Sequence, residues 1–348
     1  MTNRIRISLI STSCFLVCYV ILGRLLGKNE SSREKTYRNL GVYSEVLSRI
    51  KTDYVTEPNL KKVAEGSIRG LREALDPYST YLPPEEYQAY LQRPDPGPAS
   101  VGIFLSKRMG FATVVSVLPG SPAEKGGVKA GDLIDRVETF SMRELSVVQI
   151  QRMLAGEPGS TVTLTLVREA RGEPQKITLT RTLLNDPPVA TKMVEDNGGY
   201  LRVATFNRGK AAEIATRLKE LTTSGANKII LDLRNCAGGE MEEAAETANL
   251  FLEEGLIAYV TGQRYPRQDI RAKASGAVCR LPLAVLINQS TAGPAELVAS
   301  GILGNKRGEV VGIRSFGVGV LQKMIPVGDG SGLLLSCLLY TSPSPRDR

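Results

Sequence analysis

The residue types that could carry out hydrolysis are restricted by one absence, because the chain of 348 residues contains no histidine. This absence excludes Ser-His-Asp triads, Cys-His dyads and histidine-ligated zinc. A hydrolase of this composition needs another base, and a buried lysine with a depressed pKa can deprotonate a serine hydroxyl. The cysteines form no CxxC pair of the metal-binding type, and we predict neither a metal site nor a cofactor.

Two hydroxyl residues near the carboxyl-terminal end could take part in such chemistry. Ser290 and Thr291 lie just before an apolar helical pattern, and Lys306 and Lys323 are the nearest amines in sequence. A nucleophile and its base must lie within hydrogen-bond reach, about 2.6–3.2 Å. The alternative is that both hydroxyls cap the helix, where Pro294 suits the first turn. We favour capping, and keep the two residues as less favoured substitute nucleophiles.

The elements that must position these residues form several segments. Residues 36–97 show helical spacing of apolar side chains, and residues 98–185 show short alternating strands separated by Gly and Pro turns. Residues 189–335 alternate strand-like and helical patterns, which predicts a layered α/β domain. The fold class is therefore a multidomain α+β and α/β chain, with residues 186–188 as a linker.

The net charge of +8 gives little support to nucleic-acid binding. Half of it comes from basic residues that flank the apolar residues 7–23. The remainder forms no dense Lys/Arg block with interleaved aromatic residues, so we predict no nucleic-acid partner. The uncharged run is near the lower length limit for a membrane-spanning helix, and we predict residues 1–28 to be a retained signal anchor. A cleaved signal peptide is the alternative.

The β-rich segment carries a pattern of glycines and apolar residues that resembles a PDZ domain. The matching stretches are residues 101–105, 120–123 and 127–134. In PDZ domains a Gly-containing loop and the next strand bind the terminal carboxylate of a peptide, which adds a strand to the sheet edge. The resemblance implies that the binding residues are Val101, Gly102, Ile103, Phe104 and Leu105. A helix around residues 147–154 would form the second wall of the groove.

Three further stretches resemble the tail-specific, C-terminal-processing serine peptidase family: residues 75–82, 83–87 and 229–239. Together with the PDZ-like segment they extend the resemblance over residues 40–335. It implies a core domain of the ClpP/crotonase-like type. It also implies that Gly238 and Gly239 allow close backbone approach, so that an N–H group can face a developing oxyanion.

The same resemblance places the family's catalytic dyad at two residues that cannot react. The family's nucleophilic serine lies three residues before a glutamate, and the corresponding residue here is Gly293, before Glu296. The family's lysine lies in a Phe-Gly-Lys-Gly loop four residues before a glutamine. Val318 occupies this lysine position, while the glutamine is retained as Gln322. The sequence therefore predicts that no intact catalytic residue remains.

The leading hypothesis is a catalytically inactive member that binds the carboxyl-terminal tails of envelope proteins through its PDZ domain. One alternative is an active serine endopeptidase that cleaves exported proteins near their carboxyl terminus. Another alternative is a structural subunit of an active paralogue. A homo-oligomer is a further alternative for its partners. The resemblance implies an inner-membrane protein with one span, its bulk facing the periplasm. The core is expected to be truncated, because residues 336–348 are typical of a disordered tail or an artificial junction.

Overall fold

The computed structural model forms two compact units, residues 1–67 and 68–348. The residues that it describes are 32–92, 99–108, 111–143, 145–168 and 173–341. In the first unit, helix α1 (Ser32–Asp53) is followed by the start of helix α2 (Leu60–Glu73). Both helices occur where the sequence predicts helical segments.

The predicted inner-membrane location requires a correction. Within the described ranges, no helix is both long enough and apolar enough to cross a bilayer. The longest, α1, carries charged residues such as Arg38, Glu45 and Arg49, whereas a spanning helix needs about 20 mostly apolar residues. This finding overturns the predicted localisation. The predicted span, residues 7–23, lies outside the described residues.

A β-rich domain follows strand β1 (Thr80–Leu82) and helix α3 (Pro84–Gln92). Its strands are β2 (Ala99–Ser100), β3 (Ile103–Arg108), β4 (Phe111–Val117), β5 (Leu133–Val137), β6 (Phe140–Ser141), β7 (Thr161–Val167), β8 (Gln175–Thr180) and β9 (Thr182–Leu183). Its helices are α4 (Pro122–Lys125) and α5 (Val147–Leu154). The main antiparallel sheet has the order β3-β4-β5-β7-β8, and β6 pairs with β5. Alternating side chains of these strands bury one face against α5, which makes a separate apolar core.

The α/β domain is built on a second sheet with parallel strands at its centre. Its strands are β10 (Ala190–Val194), β11 (Gly198–Arg202), β12 (Lys228–Asp232), β15 (Leu283–Ile287) and β16 (Glu309–Gly312), in that spatial order. Only β10 pairs antiparallel. Its helices are α6 (Lys210–Thr223), α7 (Met241–Asn249) and α8 (Pro294–Gly304). The central strands are buried on both faces, which explains their nearly continuous apolar sequences.

The last described strands belong to a third sheet. Its strands are β1, β13 (Leu256–Gly262), β14 (Tyr265–Arg271), β17 (Val320–Pro326) and β18 (Gly332–Thr341), and a 3-10 turn (Ala274–Gly276) follows β14. Strand β18 pairs with β1, β13 and β17. Residues 336–341 therefore form part of a strand where the sequence predicted disorder, because their backbone groups find partners in β17 and β13. Residues 342–348 lie outside the described residues.

A buried amine fixes the linker between the β-rich and α/β domains. The Lys210 ammonium lies 2.6 Å from Asp186 and 2.8 Å from Glu213, and it donates a hydrogen bond of 2.9 Å to the Pro187 carbonyl. Burial by itself lowers the pKa of Lys210, but the hydrogen bonds to Asp186 and Glu213 outweigh it, so this pKa is raised. The linker is thus held to the first turn of α6.

We expect Lys210→Met to lower the free energy of unfolding by about 2–3 kcal/mol, because it leaves two carboxylates facing each other without their cation. Since the folded pKa is raised, the stabilisation is fully present below the ordinary value of 10.5 and is lost as the pH rises through the folded pKa. Urea unfolding at pH 7 measures the difference. Lys219→Met, an exposed position on the same helix, is the control and should change stability by less than about 0.5 kcal/mol. Equal stabilities for the two variants would contradict the assignment.

Candidate active site and peptide groove

Two loops meet at the carboxyl-terminal ends of β12 and β15. Because these strands are adjacent and parallel, the loops that follow them lie side by side, at the edge where open α/β sheets bind ligands. The Asn235 N–H donates to the Asn288 side chain at 3.0 Å, and the Asn288 amide donates back to the Asn235 side chain at 2.8 Å. The Ala292 N–H donates to the Cys236 carbonyl at 2.9 Å. These bonds fix the start of α8 against the glycine loop after β12.

The Glu296 carboxylate connects the start of α8 to the loop before β17. It accepts hydrogen bonds from the N–H groups of Gly293 at 2.9 Å and Val318 at 3.0 Å through one oxygen. Its other oxygen accepts from the Gly317 N–H at 2.6 Å. The two dyad positions predicted from sequence, Gly293 and Val318, are therefore brought together at a single carboxylate oxygen.

Gly293 has a backbone conformation that disfavours other residues. Its φ is +59° and its ψ is −118°, in a region where a side chain is strained. A Cβ atom built on Gly293 would nevertheless have no other atom within 4 Å. A side chain at position 293 would therefore meet no other atom. A residue other than glycine would nevertheless be strained in this backbone conformation.

A cavity of about 240 Å³ lies between the β-rich domain and these loops. On one side it is lined by Leu105 and Val148, and on the other by Gly238, Gly293 and Val318. None of the described residues that line it carries a charge. The cavity can therefore accept apolar groups and backbone amides, but it offers no ion pair to a charged side chain.

Apolar side chains from both domains form one cluster beside this cavity. Its members are Phe104, Val115, Ala237, Ala292, Phe316 and Val318. The Phe104 ring packs directly on Gly238, where a Cβ atom would lie 2.2 Å from the ring. Glycine is thus required at position 238 for this contact between the two domains. The Ser116 hydroxyl supports the contact by donating to the Asn235 carbonyl at 2.5 Å.

Gly238 and Gly239, the two predicted oxyanion residues, have different environments. Gly238 lines the cavity, and its N–H forms no hydrogen bond with any residue that the structure describes, whereas its carbonyl accepts from the Phe206 N–H at 3.2 Å. A Cβ atom on Gly239 would meet the Phe206 backbone at 2.3 Å, so Gly239 serves close chain packing. Of these two glycines, Gly238 is the one that lines the cavity.

Hydrogen bonds among Asp232, Arg234 and Tyr200 stabilise the loop after β12. Asp232 is buried, and it accepts hydrogen bonds from Arg234 at 2.7 Å and from the Tyr200 hydroxyl at 2.6 Å. Burial raises the pKa of Asp232, but the hydrogen bonds from Arg234 and Tyr200 outweigh it and this pKa is lowered. Burial also raises the pKa of the Cys236 thiol far above its usual range. Cys236 is therefore a protonated packing residue and not a nucleophile.

Comparison with known proteins agrees with this architecture. The profile of Peptidase family S41 matches residues 197–347, and that of the PDZ domain matches residues 113–168. A carboxyl-terminal-processing protease of Picosynechococcus sp. is 32% identical over 280 residues, which cover 78% of this chain and 67% of the relative. One from Synechocystis sp. is 31% identical over 86% of this chain and 71% of the relative. The chain belongs to the carboxyl-terminal-processing peptidase family.

A solved structure gives the same result at the level of the fold. The photosystem II D1 C-terminal processing protease superposes with a TM-score of 0.71 and 26% identity, over 86% of this chain and 88% of that protein. The predicted family and its combination of a PDZ domain with a mixed α/β peptidase domain are confirmed. Whether this family member retains activity depends on its own residues.

The remaining predicted residues of this family member lie around the cavity or support it. The Thr291 hydroxyl is buried, donates to the Leu233 carbonyl at 2.8 Å and accepts from the Asn288 N–H at 3.0 Å. Ser290 is also buried, and its N–H donates to the Asn288 side chain. Gln322 lines the cavity and donates to the Tyr78 carbonyl. Among residues 101–105, Phe104 and Leu105 line the cavity.

Sequence reasoning gave no functional role to two residues at this site. The sequence pattern gives Glu296 only a position relative to Gly293, and gives Pro294 only a place in a first helical turn. Pro294 lines the cavity immediately after the nucleophile position, and a proline has no backbone N–H to donate there. The signal is present in the sequence, because Pro294 directly follows Gly293, the predicted nucleophile position.

We expect Glu296→Ala to lower the free energy of unfolding by about 3 kcal/mol, because three backbone N–H groups lose a charged acceptor. Glu296→Gln keeps one acceptor oxygen and should lower it by about half as much. Urea unfolding measures both variants. Glu309→Ala, an exposed glutamate on β16, is the matched control. If Glu296→Ala were as stable as Glu309→Ala, the carboxylate would not hold the two loops together.

Proposed function

We propose that this chain is a non-catalytic family member that binds the carboxyl-terminal tails of other polypeptides in its PDZ groove. One observation carries the proposal. The residues that meet at the Glu296 oxygen are Gly293 and Val318, where the family pattern places its nucleophile and base. Glycine has no side chain to attack a carbonyl, and valine has no nitrogen to accept a proton.

An enzyme that lacks both its nucleophile and its base keeps very little of its catalytic rate. Enzymes that lose catalytic residues retain about 10³ to 10⁴ over the uncatalysed reaction from oxyanion stabilisation and binding. Such a rate is negligible for amide hydrolysis. The oxyanion stabilisation is itself incomplete in this chain, because Pro294 cannot supply the N–H that commonly follows a nucleophile. Gly238 is the remaining candidate donor at the cavity.

The neighbouring hydroxyls and amines do not replace the lost dyad. The Thr291 hydroxyl is already occupied by two backbone groups. The Lys323 ammonium lies 4.0 Å from the centre of the Tyr265 ring. Lys306 follows the far end of α8, which places it about 15 Å along the helix from Gly293 at 1.5 Å per residue. Neither lysine lines the cavity.

The retained parts of the groove support tail binding. Strand β3 ends the sheet of the PDZ domain, so that its outer edge faces α5 and not another described strand. An extended peptide can pair with such an edge while loop N–H groups hold its terminal carboxylate. The relatives named above are carboxyl-terminal-processing proteases, which act at the end of a chain. We infer that this member keeps the recognition and has lost the cleavage.

The full chain should bind a fluorescent peptide that has a free, apolar carboxyl terminus and should not cleave it. Amidation of that terminus should weaken binding at least about tenfold, because the loop N–H groups then lose their anionic partner. Fluorescence anisotropy measures the affinity, and mass spectrometry of the same samples detects cleavage. Turnover that Ser290→Ala or Thr291→Val abolishes would establish a relocated active site and overturn the proposal. Equal affinity for both peptides would also contradict it.

Activity should be restored in steps that follow the structure. Gly293→Ser with Val318→Lys supplies a hydroxyl and an amine, and we expect weak cleavage from this double variant. Addition of Pro294→Ala supplies the missing N–H, and should raise kcat by about 10²-fold, as expected for one oxyanion donor. Pro294→Ala alone should remain inactive and is the matched control. If the triple variant were no faster than the double variant, Pro294 would have no part in the loss.

A further inference from the structure

Helix α5, which borders the cavity, presents three different faces to its surroundings. Val148 and Gln151 line the cavity. Gln149 and Arg152, which are also three residues apart and so share a face, both contact helix α3. The remaining face is buried in the core of the PDZ domain and consists of Val147, Ile150 and Leu154. The helix is therefore held partly by an element outside the PDZ domain.

The contact between α3 and α5 centres on the side-chain amide of Gln149. Its nitrogen donates a hydrogen bond of 2.7 Å to the Glu86 carboxylate of α3. Its oxygen accepts from the Ser146 N–H at 2.8 Å, and the Ser146 hydroxyl accepts from the Gln149 N–H at 3.2 Å, which forms a capping box. One amide thus joins the start of α5 to a carboxylate. A hydrogen bond to an ionised acceptor is roughly twice as strong as one between neutral groups.

Helix α3 is itself fixed to the peptidase domain. Tyr87, the residue after Glu86, is buried and packs on Gly332 of β18, where a Cβ atom would lie 2.3 Å from the ring. Strand β1, just before α3, pairs with the same strand, with Leu82 opposite Gly332. The third sheet therefore holds Glu86 in place, and Glu86 holds Gln149.

This contact lies outside the cavity, because neither Glu86 nor Gln149 is part of the lining. Helix α5 has only eight residues, and isolated helices shorter than about 12 residues are marginal in water. Its position must therefore depend on contacts with its neighbours. If α5 leaves that position part of the time, the apparent affinity for a tail falls in proportion to the fraction of molecules that can bind.

We infer that Glu86 is a positioning residue for the peptide groove, because through Gln149 it holds α5 where a tail can bind. This inference rests on the proposed function and adds a control that lies outside the PDZ domain. The strand and the helix that border the groove belong to one domain, while the carboxylate that fixes the helix is anchored on the other. The peptidase domain thereby keeps a part in tail binding that requires no catalytic residue.

Substitutions in α3 test the inference in the full chain. The probe is a fluorescent decapeptide with a free terminal valine, and stopped-flow anisotropy measures its association and dissociation rate constants. We expect Glu86→Ala to lower the association rate constant at least about fivefold, because fewer molecules hold α5 in place. The dissociation rate constant should change less than about twofold, because it responds mainly to contacts with the bound tail. Glu85→Ala, an exposed glutamate on the same helix, is the matched control.

An exchange of the two side chains separates positioning from a general effect on folding. Gln149→Glu alone sets two carboxylates against each other and should lower the association rate constant at least about fivefold. When Glu86→Gln is added, the amide and the carboxylate have exchanged places, and glutamate at position 149 still completes the capping box. The double variant should bind within about twofold of wild type. Urea unfolding should show that each variant is folded under the assay conditions, and if Glu86→Ala is not, the exchange decides the question.

The outcomes separate the inference from the proposed function. If the wild-type chain binds the peptide and Glu86→Ala binds it as fast as Glu85→Ala, the inference is wrong and the proposed function stands. If Glu86→Ala changes only the dissociation rate constant, Glu86 acts on the bound tail and is not a positioning residue. If the exchange does not restore binding, the contact with Gln149 is not the cause. If the wild-type chain binds no such peptide, the proposed function fails and the inference fails with it.

Discussion

The site depends on one partly buried acceptor, the Glu296 carboxylate. Its two oxygens hold the N–H groups of Gly293, Gly317 and Val318, so a helix start and a distant loop share a single anion. Charge-assisted bonds to backbone groups do not depend on the side chains at the bonded positions. The backbone arrangement at positions 293 and 318 can therefore form without a reacting side chain at either position.

Valine at position 318 takes part in the contact between the two domains. A lysine at position 318 would place an ammonium group beside Phe104 and Phe316, whereas valine packs with them in one apolar cluster. Burial of apolar surface stabilises such a contact by roughly 25 cal/mol for each Å², and an unpaired ammonium would oppose it. Gly238 adds to the contact because the ring of Phe104 needs the space that a Cβ atom would fill. Phe104 therefore meets both Val318 and Gly238 at this contact.

Local sequence patterns predicted the helices and strands that have a clear hydrophobic period or a continuous apolar run. The apolar periodicity around residues 147–154 marks α5, and the buried runs at β5, β12 and β15 mark the strands closely. The alternation of residues 200–206 predicts a strand, but β11 ends at Arg202. The helical pattern of residues 242–252 predicts a later helix end than that of α7, which lies at Asn249. The polar strand β14 and the antiparallel sheet around β18 had no clear local signal. Strand β18 pairs with β1 and β13, which lie far away in sequence, and pairing partners of that kind leave no period in either strand.

The sequence by itself determined the family, and it predicted the absence of reacting side chains at Gly293 and Val318, because motif spacing and residue type are one-dimensional properties. It also excluded histidine-based catalysis by composition alone. Only the tertiary structure decided that the two positions share one carboxylate oxygen, that Pro294 lies at the cavity, and that Phe104 of the PDZ domain closes over Gly238. These facts join residues from separate segments, and contacts of that kind exist only after the sheets have packed.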